Sequence, residues 1–115
     1  MSAAEKRRVV ITGIGVVAPN GVGVPAYEEA LRAGRSGLKT QESMIEAKFG
    51  CTVAGSPEGV DELCEKTFGE DELLAMNMNH RYASLAALEA WQDAGLERPA
   101  HDSEEVDWDL SLIHI

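Results

Sequence analysis

One segment constrains this chain more than any other: Val9-Val10-Ile11-Thr12-Gly13-Ile14-Gly15-Val16-Val17-Ala18-Pro19-Asn20-Gly21. A β-branched run enters a glycine turn, a second short apolar run follows, and Pro-Asn-Gly closes it. β-branched side chains suit extended backbone. An apolar run without alternation suits a strand covered on both faces, as in a parallel sheet. The pattern predicts a first strand over residues 8–12, extended to Val17 after a bend. Gly13-x-Gly15-x-x-Ala18 also fits the glycine pattern of a dinucleotide-binding turn, where backbone approaches a pyrophosphate at a helix N-terminus. A small α/β dinucleotide-binding module is therefore an alternative. It requires a helix to begin within the turn. Pro19 would interrupt that helix, and Asn20-Gly21 is a turn signal. The local sequence argues against it.

Further along, Pro25 suits the first turn of a helix and Gly34 its C′ position. Ala26, Tyr27, Ala30, Leu31 and Ala33 make the apolar stripe between them. Residues 19–24 read as a loop, residues 43–48 as a helical turn, residues 51–54 as a short strand and residues 60–66 as a short helix. Asn77 or Asn79 can cap a long helix running to about Ala94, with Gly95 as its terminator. Tyr82, Leu85, Leu88 and Trp91 recur every third residue. Alanines at 83, 86, 87, 90 and 94 cover much of the rest. Such a helix is expected to be buried on most sides, and its alanines would let other backbones come close. Residues 1–6 read as a flexible N-terminus.

The chain has 115 residues and a formal net charge of −10. The charge is uneven, at +2 over residues 1–50 and −12 over residues 51–115. An acidic chain without a basic face does not fit nucleic acid. There is no apolar run near the ~20 residues of a membrane span, and the start lacks the apolar core of a signal peptide. A cytoplasmic location is expected. Cys51 and Cys64 form no C-x-x-C pair, and His80, His101 and His114 show no ligand spacing with them. Neither a metal nor another cofactor is expected. Both cysteines read as buried, reduced and inert.

The segment from Arg8 to Gly21 resembles the opening of the β-ketoacyl-acyl-carrier-protein synthases of the thiolase-like superfamily, closest to the KAS II type. Ala26-Tyr27-Glu28-Glu29-Ala30-Leu31-Arg32-Ala33-Gly34-Arg35-Ser36-Gly37-Leu38 resembles that family's first helix and the turn after it. Ala86-Ala87-Leu88-Glu89-Ala90-Trp91-Gln92-Asp93-Ala94-Gly95-Leu96 resembles its long helix ending in Asp-Ala-Gly-Leu. Three landmarks in order are far more specific than any one alone. The resemblance implies an α/β fold, the N-terminal part of a thiolase-like fold and an incomplete layered αβα half. It also implies decarboxylative condensation of an acyl thioester with malonyl-acyl-carrier-protein in fatty acid or polyketide biosynthesis. The implied partners are acyl carrier protein and a second subunit in a homodimer. The family's catalytic cysteine and two histidines would lie beyond this chain. No catalytic, cofactor-binding or metal residue is therefore expected within it, and alone it is expected to be inactive and poorly folded.

Two departures bear on this reading. A carrier-docking surface needs cations, and Lys6, Arg7, Arg8, Arg32, Arg35 and Lys39 are available, although solvation is their ordinary role. The segment before the long helix is instead acidic and apolar, Gly69-Glu70-Asp71-Glu72-Leu73-Leu74-Ala75-Met76-Asn77, which suggests a specialised subfamily. The chain's last residues, 110–115, read Leu-Ser-Leu-Ile-His-Ile where the family pattern expects a glycine-rich turn. That string is also one translated frame of a transposase adapter, so a non-native tail is expected after a truncated synthase domain over residues 7–109. A non-catalytic homologue resembling a chain-length-factor subunit is the other family alternative.

Overall fold

The computed structural model describes residues 8–97. The calls on residues 1–6 and 110–115, and on His101 and His114, lie outside them. The described elements run β1 (Val17–Ala18), β2 (Gly21–Val22), α1 (Val24–Arg32), β3 (Leu38–Thr40), α2 (Glu42–Glu46), β4 (Val53–Gly55), α3 (Val60–Thr67), α4 (Glu70–Ala75) and α5 (Met78–Asp93). Helices and strands are mixed, as an α/β chain requires. The strands form two separate antiparallel ribbons, β1 with β2 and β3 with β4.

Local chemistry sets most boundaries. The Asn77 side chain accepts the His80 N–H and starts α5, while Asn79 lies inside the helix. Glu72 accepts the Gly69 N–H at 2.9 Å and starts α4. Gly34 and Gly95 both adopt positive φ. Each follows a helix whose last carbonyls are closed by a Schellman pair. The Arg35 N–H reaches Ala30 O and the Gly34 N–H reaches Leu31 O; the Leu96 N–H reaches Trp91 O and the Gly95 N–H reaches Gln92 O. α2 ends in the same way with Lys48 at φ 55°, a conformation that costs a side-chain-bearing residue roughly 1 kcal/mol.

Val60, Cys64, Phe68 and Leu85 form the core, where α3 packs on α5. Val17, Val22, Leu73, Met76, Tyr82 and Leu88 pack against it. Three of the four residues in the Tyr82–Trp91 stripe thus serve the core. The fourth, Trp91, donates its indole N–H to Glu97 O at 2.6 Å.

Several expectations are corrected. Residues 8–12 form no strand, and Val9 and Ile11 are exposed (88% and 86%). A strand exists by its ladder partners, and no described strand lies alongside this segment. β2 and the start of α1 interrupt the expected loop over residues 19–24, and β3 is a strand that the turn-rich sequence around it concealed. Leu85 is the one buried residue of α5, and its other residues are half-buried or exposed. Cys64 is buried, but Cys51 is exposed, since it enters β4 at the far end of the second ribbon.

Candidate functional site

The glycine segment packs directly on α5. Ala86, Ala90 and Ala94 are four residues apart and therefore share one face of α5. Gly13 and Gly15 lie directly on that face. A methyl group on Gly15 would overlap Ala86 O and come within 2.8 Å of Ala90 N; one on Gly13 would overlap Ala90 O and meet Ala94 Cβ at 2.9 Å. The glycines are there for close backbone approach, to a helix.

Two carboxylates flank this contact. Asp93 Oδ2 accepts the Ile14 N–H at 3.0 Å and Glu89 Oε2 accepts the Val16 N–H at 2.8 Å. Glu89 Oε1 accepts the Val24 N–H at 2.6 Å, the first free amide of α1. α1 has no acidic residue in its own first turn. Glu89 supplies the negative charge that the helix N-terminus favours.

This arrangement does not fit a dinucleotide. A pyrophosphate would need the turn amides and the next helix N-terminus. Those amides already bind carboxylates, and a phosphate would meet Glu89 and Asp93 as like charges. The next helix begins at Val24, too late for the turn to feed it.

The other candidate residues are not brought together. Among the described residues, no three His, Cys, Asp or Glu side chains group as a metal site. Burial pushes the Cys64 thiol above its ordinary range, with the Arg81 charge opposing and Asp61 assisting. That is the reverse of the lowered pKa that makes a cysteine nucleophilic. Cys51 Sγ lies 3.6 Å from Val53 O on the exposed ribbon. Arg32 pairs with Glu28, Arg35 with Glu29 and Lys39 with Glu58, so all three cations are neutralised locally. Lys6 and Arg7 lie outside the described residues. A cleft of about 250 Å³ lined by Val16, Val17, Val22, Leu63, Leu85 and Leu88 opens beside the core; it falls below the usual size of a small-molecule site. The sequence singled out Gly13 and Gly15, but Glu89 and Asp93 escaped notice. The one available signal was their four-residue spacing beside the alanine face.

The comparisons with known proteins agree with one another. The family model described as "Beta-ketoacyl synthase, N-terminal domain" matches residues 6–110. A 3-oxoacyl-acyl-carrier-protein synthase 2 of Vibrio cholerae is 36% identical over 93 residues, covering 81% of this chain and 22% of that protein. The protein of the same name from Coxiella burnetii is 36% identical over 96 residues, with the same coverage of 81% and 22%. The tetracenomycin polyketide synthase ketoacyl synthase alpha subunit of Streptomyces glaucescens is 32% identical over 112 residues, covering 92% of this chain and 24% of that protein. The chain thus spans between a fifth and a quarter of the length of these relatives.

Proposed function

The chain belongs to the β-ketoacyl synthase family through its N-terminal domain, and on that premise we propose that it is the N-terminal part of a 3-oxoacyl-acyl-carrier-protein synthase. The reaction is decarboxylative condensation. A cysteine thiolate takes an acyl group from a thioester and expels the donor thiol. A malonyl thioester loses carbon dioxide, and the resulting carbanion attacks the acyl carbon. The product is a 3-oxoacyl thioester, and the thiolate is regenerated. Two histidines assist carbanion formation. In this reading all three groups belong to the rest of the synthase, and residues 7–109 supply scaffold. The alanine face of α5, met by Gly13 and Gly15, would lie inside a layered αβα thiolase-like fold, with residues 8–12 as a strand of its sheet.

The observation that carries the proposal is the N-terminal-domain match over residues 6–110. The named relatives include fatty-acid-type and polyketide-type synthases, and the condensation is common to both. Acyl carrier protein and a second ketosynthase subunit are the partners in this reading. The locally paired Arg32, Arg35 and Lys39 make a poor docking patch, so the carrier would dock elsewhere. No described helix is long and apolar enough to cross a membrane, and two unpaired cysteines suit the reducing cytoplasm.

The test joins residues 1–109 to their native genomic continuation and supplies an acyl donor with labelled malonyl-acyl-carrier-protein. Release of labelled carbon dioxide with formation of a 3-oxoacyl product is expected. The 115-residue chain alone should yield neither. A joined protein that binds both carriers without condensing them would overturn the activity. Condensation by the isolated chain would overturn the placement of the catalytic residues.

A further inference from the structure

Glu89 sits in a closed ring of contacts that no local pattern explains. Its Oε2 accepts the Val16 N–H and its Oε1 the Val24 N–H, at 2.8 and 2.6 Å. The Val16 carbonyl accepts the Gly23 N–H at 2.8 Å, and Gly23 is bonded covalently to Val24. The Gly23 carbonyl in turn accepts the Tyr27 N–H at 3.1 Å, the first backbone bond of α1. One carboxylate therefore spans three pieces of chain: the glycine segment, the start of α1 and the body of α5. We infer that Glu89 is a latch that makes the glycine segment and the first turn of α1 open from α5 as one cooperative unit, with Asp93 a separate catch on Ile14 alone.

The physical basis is geometric. Hydrogen bonds to a carboxylate are stronger than neutral ones, and both oxygens of Glu89 are committed. Gly23 has φ 88°, and a methyl there would come within 3.3 Å of Glu89 Oε1. The turn is thus shaped around the carboxylate. When Glu89 lets go, Val16 and Val24 lose their partner together. The Gly23–Val16 bond, which closes the ring, then loses its support. Among the described residues, Asp93 hydrogen-bonds Ile14 alone and stands outside the ring.

The experiment is amide hydrogen exchange on the full 115-residue chain, read residue by residue by NMR. Across a low-denaturant series, the Val16, Gly23, Val24 and Tyr27 amides should converge on one opening curve, below that of the Leu85 region. Separate curves would overturn the latch. Glu89→Gln replaces one acceptor oxygen with a donor. It should speed exchange at all four amides together by about tenfold or more. Asp93→Asn should speed Ile14 alone. Acceleration limited to Val16 and Val24 in Glu89→Gln would mean two independent hydrogen bonds, and the inference would fall. Should Glu89→Gln not fold, the curves of the unsubstituted chain decide between the two.

Discussion

The junction of the glycine segment with α5 and the ribbon made by β3, α2 and β4 are built in opposite ways. In the junction, partners lie 65 to 79 residues apart in sequence. Backbone meets backbone with no room for a methyl group. In the ribbon, partners are close in sequence and side chains face water. β3 is exposed throughout and α2 buries nothing. Ladder pairing from Leu38↔Gly55 to Thr40↔Val53 holds it, with the Gln41 side chain on Ala54 O. Steric exclusion and charged hydrogen bonds govern the first region. Backbone pairing, the Gln41 side-chain bond and a close approach of Gly55 to Pro19 govern the second. The junction should therefore punish small changes, and the exposed side chains of the ribbon should absorb large ones.

The hardest blow to that contrast is Gly15→Ala. The new methyl must push the segment off α5, with an expected loss of about 3 kcal/mol or more. With so few buried residues among those described, that should abolish any cooperative transition in a circular-dichroism melt. A Gly15→Ala protein melting like the parent would erase the distinction. Next in size, Leu85→Ala should cost about 2–3 kcal/mol by urea denaturation, toward the lower end because an open cleft already adjoins it. Phe49→Ala on the ribbon, where Phe49 is 61% exposed, should stay within about 0.5 kcal/mol. Equal effects would mean that the ribbon is packed in solution.

Lys48→Gly sharpens the comparison from the other side. Lys48 holds a left-handed conformation at the end of α2, and glycine relieves it. A gain of about 1 kcal/mol is expected, as a higher urea midpoint with unchanged slope. The smallest effect is electrostatic. The hydrogen bond and charge of Lys39 hold the Glu58 carboxyl below its ordinary range. A lowered carboxyl favours the fold above its unfolded pKa, and that benefit disappears as acid protonates it. Both side chains are exposed, so Lys39→Met should leave stability unchanged while raising the Glu58 titration midpoint by NMR. An unmoved midpoint would show that the pair does not persist in solution.

Much of the local structure was legible in residue types. Asn77, Pro25, Gly34 and Gly95 mark helix ends because their preferences act within a few residues. The short helix read over residues 60–66 is α3, Val60–Thr67. β3 was hidden because a three-residue strand beside Gly37 carries almost no periodic signal. The strand expected over residues 8–12 did not form, since composition can favour extended backbone but cannot supply a neighbouring ladder. Cys51 was misplaced for a related reason: free cysteine favours burial on average, yet its position on the ribbon decides its exposure. For the junction, Gly13 and Gly15 were evident, while their carboxylate partners lay more than sixty residues away without a linking pattern.

The sequence by itself determined the family, the positions of the helix ends and the presence of a glycine-rich turn that something must approach closely. Those depend on residue identity and short spacing. Only the tertiary structure decided what approaches. It set the alanine face of α5 against Gly13 and Gly15, and it turned Glu89 and Asp93 toward the amides a phosphate would have needed. Close backbone contact and carboxylate–amide pairing depend on distances through space, and such distances are not written in the order of residues.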